Sequence, residues 1–263
     1  MALVETELAN GVMTITLCDV ERRNALSRQL LKELVAAVDA VERDPEIRVA
    51  VLTNRGTVFS AGANLAEQTE GPSSGDDGPP VALSEFFGRF RDSPKPFVGR
   101  IAGHCVAGGV GLAAVMDISV ALDTAMFGFT EVRVGVAPAM ISVVCLPKMR
   151  LADAQSAFLR GNRFAAGEAQ RMGLINVAVP AADLDAAVEG VVNDLLAGEP
   201  RALAVAKRLA VVVPTLSADE AFAWTTKISA GLFESPEARE GMTAFLEKRP
   251  ASWVRRIPSD DEA

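Results

Sequence analysis

The sequence predicts an α/β fold, and three observations carry that expectation. Val49-Ala50-Val51-Leu52-Thr53 is a continuous apolar run, the pattern of a strand buried on both faces. Downstream of Ser27, a residue suited to cap a helix, Leu30, Leu31, Leu34, Val38 and Val41 recur at helical spacing through about Glu42. Strand-like and helix-like segments then alternate along most of the chain, which is the order of the α/β class.

The elements follow in order. Residues 3–8 and 12–18 alternate in polarity around Asn10-Gly11, a hairpin turn signal. Residues 70–80 are rich in Gly, Pro, Ser and Asp and predict a mobile loop. A helix over Leu83 to Phe90 leads through Pro94 and Pro96 into a strand over Phe97 to Ile101. Gly108 and Gly109 open a helix that runs to about Met116, and Ile118 to Leu122 is strand-like. Leu151 to Leu159 is helical, with Gly161 and Gly167 as punctuation. Ala166 to Met172 is a further helix and Leu174 to Val179 a further strand. From Ala181 the chain reads as helical, except for strand-like Val211-Val212-Val213. Spacing alone leaves the topology open.

Bulk properties narrow the function. A length of 263 residues suits one large domain, or one domain with an appendage. No apolar run reaches the ~20 residues a membrane helix needs, and Val110 to Val120 is interrupted by Gly111 and Asp117. The N-terminus lacks the pattern of a secretory signal, and with no spanning run no membrane partner is expected. Cys18, Cys105 and Cys145 lack metal-ligand spacing and read as buried thiols in a reducing cytoplasm; no metal site is expected. A net charge of −8 argues against nucleic acid as a partner. With one histidine and no tyrosine, acid–base chemistry falls almost entirely to carboxylates. His104, the one histidine, reads as structural.

Two segments of small residues stand out: Phe59-Ser60-Ala61-Gly62-Ala63-Asn64-Leu65, and Ile101 through Asp117 with Ala107-Gly108-Gly109-Val110-Gly111 at its centre. Small residues let backbone approach a ligand closely. Together the segments could aim two backbone N–H groups at one oxygen, the construction of an oxyanion hole. The plainer alternative is that the glycines only let a helix pack closely on a sheet.

With Arg23-Asn24-Ala25-Leu26-Ser27, Phe127-Gly128-Phe129-Thr130-Glu131 through Pro138, and Glu240-Gly241-Met242 through Arg249, these segments resemble the enoyl-CoA hydratase/isomerase, or crotonase, superfamily in the family's own order. The resemblance implies a spiral of repeated strand–strand–helix units over residues 1–198. A helical region over 199–263 would then assemble the chain into a homotrimer or a hexamer. It implies an acyl-CoA thioester as substrate, with coenzyme A entering as part of the substrate and no cofactor bound permanently.

Carried over residue by residue, the resemblance makes the N–H groups of Ala63 and Gly108 the oxyanion donors and Glu131 the acid–base group. It puts Arg22, Arg23, Ala25, Ala61, Ala63, Asn64, Leu65, Ala66, Gly108 and Lys248 around coenzyme A, Lys248 by way of a neighbouring subunit. Taken alone, Glu131 could instead be a salt-bridge partner of Arg133, and the basic residues plain surface charge.

Three departures from the pattern matter. Ala107 replaces a glycine, read here as a mild change, and Asn64 replaces an aspartate with similar capping ability. Gly111 stands where hydratases of the family carry a second glutamate. Hydration of a 2,3-enoyl-CoA remains the leading expectation. A double-bond isomerase using one glutamate and a non-catalytic acyl-CoA-binding protein are the alternatives. Glu67 and Glu70, beside the first glycine segment, are candidates for a second acid but read more simply as surface charge.

Overall fold

The computed structural model describes residues 2–70 and 81–257, and its backbone builds the expected spiral. The chain opens with β1 (Val4–Ala9) and β2 (Val12–Leu17), an antiparallel hairpin. Asn10 and Gly11 both turn with positive φ, 52° and 80°, as a tight two-residue hairpin requires. Helix α1 (Arg28–Arg43) starts where Ser27 Oγ accepts the Leu30 N–H, and its apolar stripe from Leu30 to Val41 is buried.

From there consecutive strands divide between two sheets. β3 (Val49–Asn54) joins the first sheet and β4 (Val58–Ser60) the second, followed by α2 (Leu65–Glu70) and α3 (Leu83–Asp92). β5 (Phe97–Ile101) and β6 (His104–Val106) divide the same way before α4 (Gly108–Val115). So do β7 (Ile118–Leu122) and β8 (Met126–Gly128), before α5 (Ala139–Cys145) and α6 (Leu151–Arg160). β9 (Arg163–Ala165), α7 (Ala166–Arg171) and β10 (Val177–Val179) complete the turns. The larger sheet has the order β1-β2-β3-β5-β7-β10 and is parallel after the first hairpin. The smaller sheet has the order β4-β6-β8-β9, with β4, β6 and β8 parallel.

The run Val49–Asn54 is buried at every residue, as a central parallel strand must be. One face of the large sheet packs on α8 (Leu184–Ala197) through Val51, Val98, Val120, Leu184, Val188 and Val192. The main core holds fully buried Phe59, Phe86, Phe90, Phe97, Phe127 and Phe129. Phe86, Phe90 and Phe97 meet edge to face, with centroids 5.3 and 5.0 Å apart.

Helices α9 (Pro200–Val212), α10 (Ala218–Phe233) and α11 (Pro236–Leu246) end the described chain. Neither α9 nor α10 buries a residue fully, and Phe222, Phe233, Phe245 and Leu246 are each at least two-thirds exposed. α9 is tied down by Lys207. Its ammonium donates to Asp117 Oδ2 at 2.8 Å, the Phe90 carbonyl at 2.7 Å and the Lys95 carbonyl at 3.1 Å, using all three of its protons. No helix among the described residues is long and apolar enough to cross a membrane.

Several expectations need correction. Val211-Val212-Val213 is not a strand: α9 runs through Val212 and a 3-10 turn, Val213–Thr215, follows. No sheet edge pairs with it, so the β-branched run continues the helix before it. The strand expected over Leu174 to Val179 is confined to Val177–Val179, while Leu174 and Ile175 serve the core. Gly167 lies inside α7 and punctuates nothing, whereas Gly161 caps α6 at φ 55°. Cys105 and Cys145 are buried, but Cys18 is only half-buried. The loop expected over 70–80 falls, beyond residue 70, outside the described residues.

Lys207→Ala removes a nearly buried cation and leaves a carboxylate and two carbonyls without it. We expect a loss of about 3 kcal/mol in unfolding free energy, measured by denaturant titration.

Candidate functional site

Three neighbouring parallel strands of the small sheet end at one edge. β4 ends at Ser60 and gives way to Ala61-Gly62-Ala63, β6 ends at Val106 and gives way to Ala107-Gly108, and β8 ends at Gly128, three residues before Glu131. Parallel pairing fixes this alignment: Val106 lies opposite Gly128, and the Ala107 N–H donates to the Gly128 carbonyl at 2.9 Å. Clefts at the carboxyl ends of parallel strands are the usual place for ligands in α/β proteins.

The first two of these segments are in contact. Gly62 turns at φ 84°, and a Cβ there would come within 2.7 Å of Gly108 N and 2.8 Å of the Val106 carbonyl. A Cβ on Gly109 would overlap Ser60 and lie 2.8 Å from its carbonyl carbon. Only glycine permits either approach. A Cβ on Gly108 would lie 3.4 Å from Ala63 N, so the Ala63 and Gly108 backbones lie close together. Neither N–H group donates to an acceptor among the described residues. Gly108 is also the first residue of α4, where N–H groups have no intrahelical partner.

Ala107 corrects the sequence reading. It adopts φ 50° and ψ −122°, a conformation that favours glycine, so the replacement of glycine is a strained one rather than a mild one.

The loop of residues 22–26 lies along the first glycine segment. Ala61 N donates to the Arg23 carbonyl at 3.0 Å, Leu26 N to the Gly62 carbonyl at 2.7 Å, and Leu26 bridges Ala63. Arg23 and Asn24 reach this path with positive φ, 56° and 50°. Sequence reasoning missed the polar lock beneath. Asn24 is buried and donates to the Val58 carbonyl at 2.7 Å, while Ser60 Oγ donates to the Asn24 carbonyl at 2.8 Å and accepts the Gly62 N–H at 3.2 Å. A polar residue between the arginines and Ala25-Leu26 was the available signal.

A groove of about 1000 Å³ opens beside this loop. Arg22, Asn64 and Ala66 line it, with Cys18, Asp19 and Arg55. Arg22 and Arg23 are exposed, Ala25 is buried, and Leu65 is 57% exposed. Asn64 Oδ1 accepts the Ala66 N–H at 3.2 Å at the start of α2. Glu67 also lines the groove but is engaged locally, by the Arg28 N–H at 3.1 Å and Asn64 Nδ2 at 3.0 Å. The Glu70 side chain is outside the described residues. Lys248, just past α11 with φ 57°, does not line the groove.

Glu131 opens a 3-10 turn, Glu131–Val134, and its carbonyl accepts from Gly135 N–H. Its carboxyl is partly buried, and Oε2 is buried without a hydrogen-bond partner among the described residues. Burial raises its pKa above the ordinary glutamate value, against a smaller opposing effect of its own backbone N–H. Arg133 does not pair with it; that guanidinium donates to the Gly161 carbonyl at 2.6 Å and the Arg160 carbonyl at 3.2 Å. His104 Nδ1 accepts the Met126 N–H at 3.0 Å, a structural role as expected.

Two measurements follow from this geometry. Ala107→Gly relieves the positive φ and should stabilise the protein by about 1 kcal/mol, read as a higher Tm. The raised pKa of Glu131 means its ionised form opposes folding; the penalty is complete above the folded-state pKa and gone below the unfolded value of about 4.3. Glu131→Gln should therefore melt above wild type at pH 8, with the gap closing toward pH 4.

Known proteins share this architecture. A family model described as enoyl-CoA hydratase/isomerase matches residues 7–256. A putative enoyl-CoA hydratase of Thermus thermophilus is 35% identical over 243 residues, covering 91% of this chain and 96% of the relative. Enoyl-CoA hydratase EchA19 of Mycobacterium tuberculosis is 31% identical, covering 97% of each chain. The crystal structure of an enoyl-CoA hydratase from Mycobacterium smegmatis superposes with a TM-score of 0.88 at 28% identity, over 95% of this chain and 98% of that one. The spiral of paired strands, the glycine contact at its strand ends and a match spanning nearly the whole chain agree: this protein belongs to the enoyl-CoA hydratase/isomerase family, whose members act on acyl-CoA thioesters.

Proposed function

We propose that the protein adds water to a 2,3-enoyl-CoA thioester through an enolate. The observation that carries this reading is the meeting, at one edge of one sheet, of two N–H groups and a buried carboxyl oxygen that have no partner among the described residues. The thioester oxygen would lie between the Ala63 and Gly108 N–H groups. As water oxygen bonds to C3, its proton passes to Glu131 and the double-bond electrons move onto the thioester oxygen. The two donors stabilise that charge as it develops. C2 then takes the proton back from Glu131, which restores the carboxylate.

The Arg22 groove would hold coenzyme A, with Ala25, Ala61 and Asn64 to Ala66 along its thioester end and Arg23 at its margin. Exposed apolar side chains support assembly into a trimer or hexamer: Val134, Val136 and Val143, and Phe222, Phe233 and Phe245 on the C-terminal helices. Such assembly would bring Lys248 of a neighbouring copy to the coenzyme. Three free thiols suit a reducing cytoplasm.

Gly111 favours a second reading. A site with one carboxylate can isomerise a 3,4-double bond: Glu131 removes a proton from C2, the charge moves to the thioester oxygen, and the proton is returned at C4.

The deciding experiment is incubation with trans-2-hexenoyl-CoA in D2O, followed by mass analysis. Gain of a whole D2O supports hydration. Deuterium exchange without added water supports the isomerase. Binding with no change across a panel of enoyl-CoA chains would leave a binding protein. Glu131→Gln should lower kcat by about 10²–10⁴ with little effect on KM. The acid limb of the kcat/KM profile should fall above pH ~4.3, because a base with a raised pKa loses its proton-accepting form at higher pH.

A further inference from the structure

Gly111 lies one turn along α4 from Gly108, on the same side of the helix. The space beyond it is occupied. A Cβ at 111 would come within 2.8 Å of Ile141 Cβ, closer still to its Cγ2, and 3.2 Å from the Phe87 ring. Ile141 belongs to α5, which packs on α4, and is 4% exposed. Cys145, one turn along α5 on the same face as Ile141, is fully buried. Phe87 is 5% exposed and held edge to face by Phe86 at 5.2 Å. Neither neighbour is the free end of a long flexible chain, so neither can yield cheaply.

We propose that Ile141, braced by Phe87, determines specificity by filling the space off Gly111 and holding the site to a single carboxylate, Glu131. The same group then takes the proton and gives it back, whichever carbon receives it. Among the described residues, the side chains that close position 111, Ile141 and Phe87, are apolar and offer no second acceptor to orient a water molecule. This inference rests on the acyl-CoA reading above for its chemistry, but its steric part stands separately.

The test compares wild type, Gly111→Glu, Ile141→Gly and the double variant, by Tm and by water addition to trans-2-hexenoyl-CoA. Each single change should lower Tm by several degrees, and the double should lose clearly less than their sum, because one change makes room for the other. The double should also raise kcat for hydration at least about tenfold over Ile141→Gly, with KM little changed, since a second acid–base group enters the site. Should Gly111→Glu fail to fold, Gly111→Ala adds only the overlapping Cβ and reads the same coupling. Additive Tm losses, or Gly111→Glu alone with wild-type Tm, would overturn the role of Ile141, as would a folded double variant with unchanged kcat. Wild-type protein that turns over no enoyl thioester, with the Tm coupling intact, would defeat the proposed function and leave the packing role standing.

Discussion

The rest of the site depends on one contact, the meeting of the Gly62 turn with the start of α4. Gly62 must take a positive φ while its Cα faces the Gly108 peptide, and Gly109 must press on Ser60. Any Cβ at Gly62 or Gly109 would drive the two strand ends apart. The contact sets the spacing of the Ala63 and Gly108 N–H groups. It requires β4 and β6 to end level, which their parallel pairing in the small sheet provides. The hydrogen bonds from Asn24 to the Val58 carbonyl and from Ser60 to the Asn24 carbonyl then bring the arginine loop alongside, so that one local constraint organises both the meeting of the glycine segments and the groove beside it.

The arrangement sets hydrogen-bond needs against chemistry. Most buried polar groups in a fold are paired. Here two backbone donors and one carboxyl oxygen at the same edge have no acceptor or donor among the described residues. Strain gathers at the same place, with left-handed backbone at Arg23, Asn24 and Ala107. Rigid elements hold these unfavourable features: β6 and β8 fix Ala107, and Lys207 ties α9 to Asp117 at the start of β7 and to the carbonyls of Phe90 and Lys95. Unpaired groups and strain held by a stiff frame are what a preorganised site requires.

The absence of a carboxylate at position 111 is a packing fact as well as a sequence fact. Gly111 alone reads as a missing side chain. With Ile141 and Phe87 against it, the position is closed. On the proposed reading, the α4–α5 interface would shape the reaction as much as the acid itself.

By itself the sequence determined the class of the fold and most of its elements. Periodicity sufficed where burial is one-sided or complete, as in α1 and β3, and the Asn10-Gly11 turn was explicit. It also marked both glycine segments and Glu131 as the residues to watch. The short strands of the small sheet, Val58–Ser60, His104–Val106, Met126–Gly128 and Arg163–Ala165, are too brief to show a period, so the edge they share was invisible. Only the tertiary structure decided that Val211–Val213 ends a helix, that Ala107 is strained, that Glu67 is already engaged and that Ile141 fills the space at Gly111. Each depends on a neighbour far along the chain or on a backbone angle, and residue order does not encode such proximity until the strands have paired.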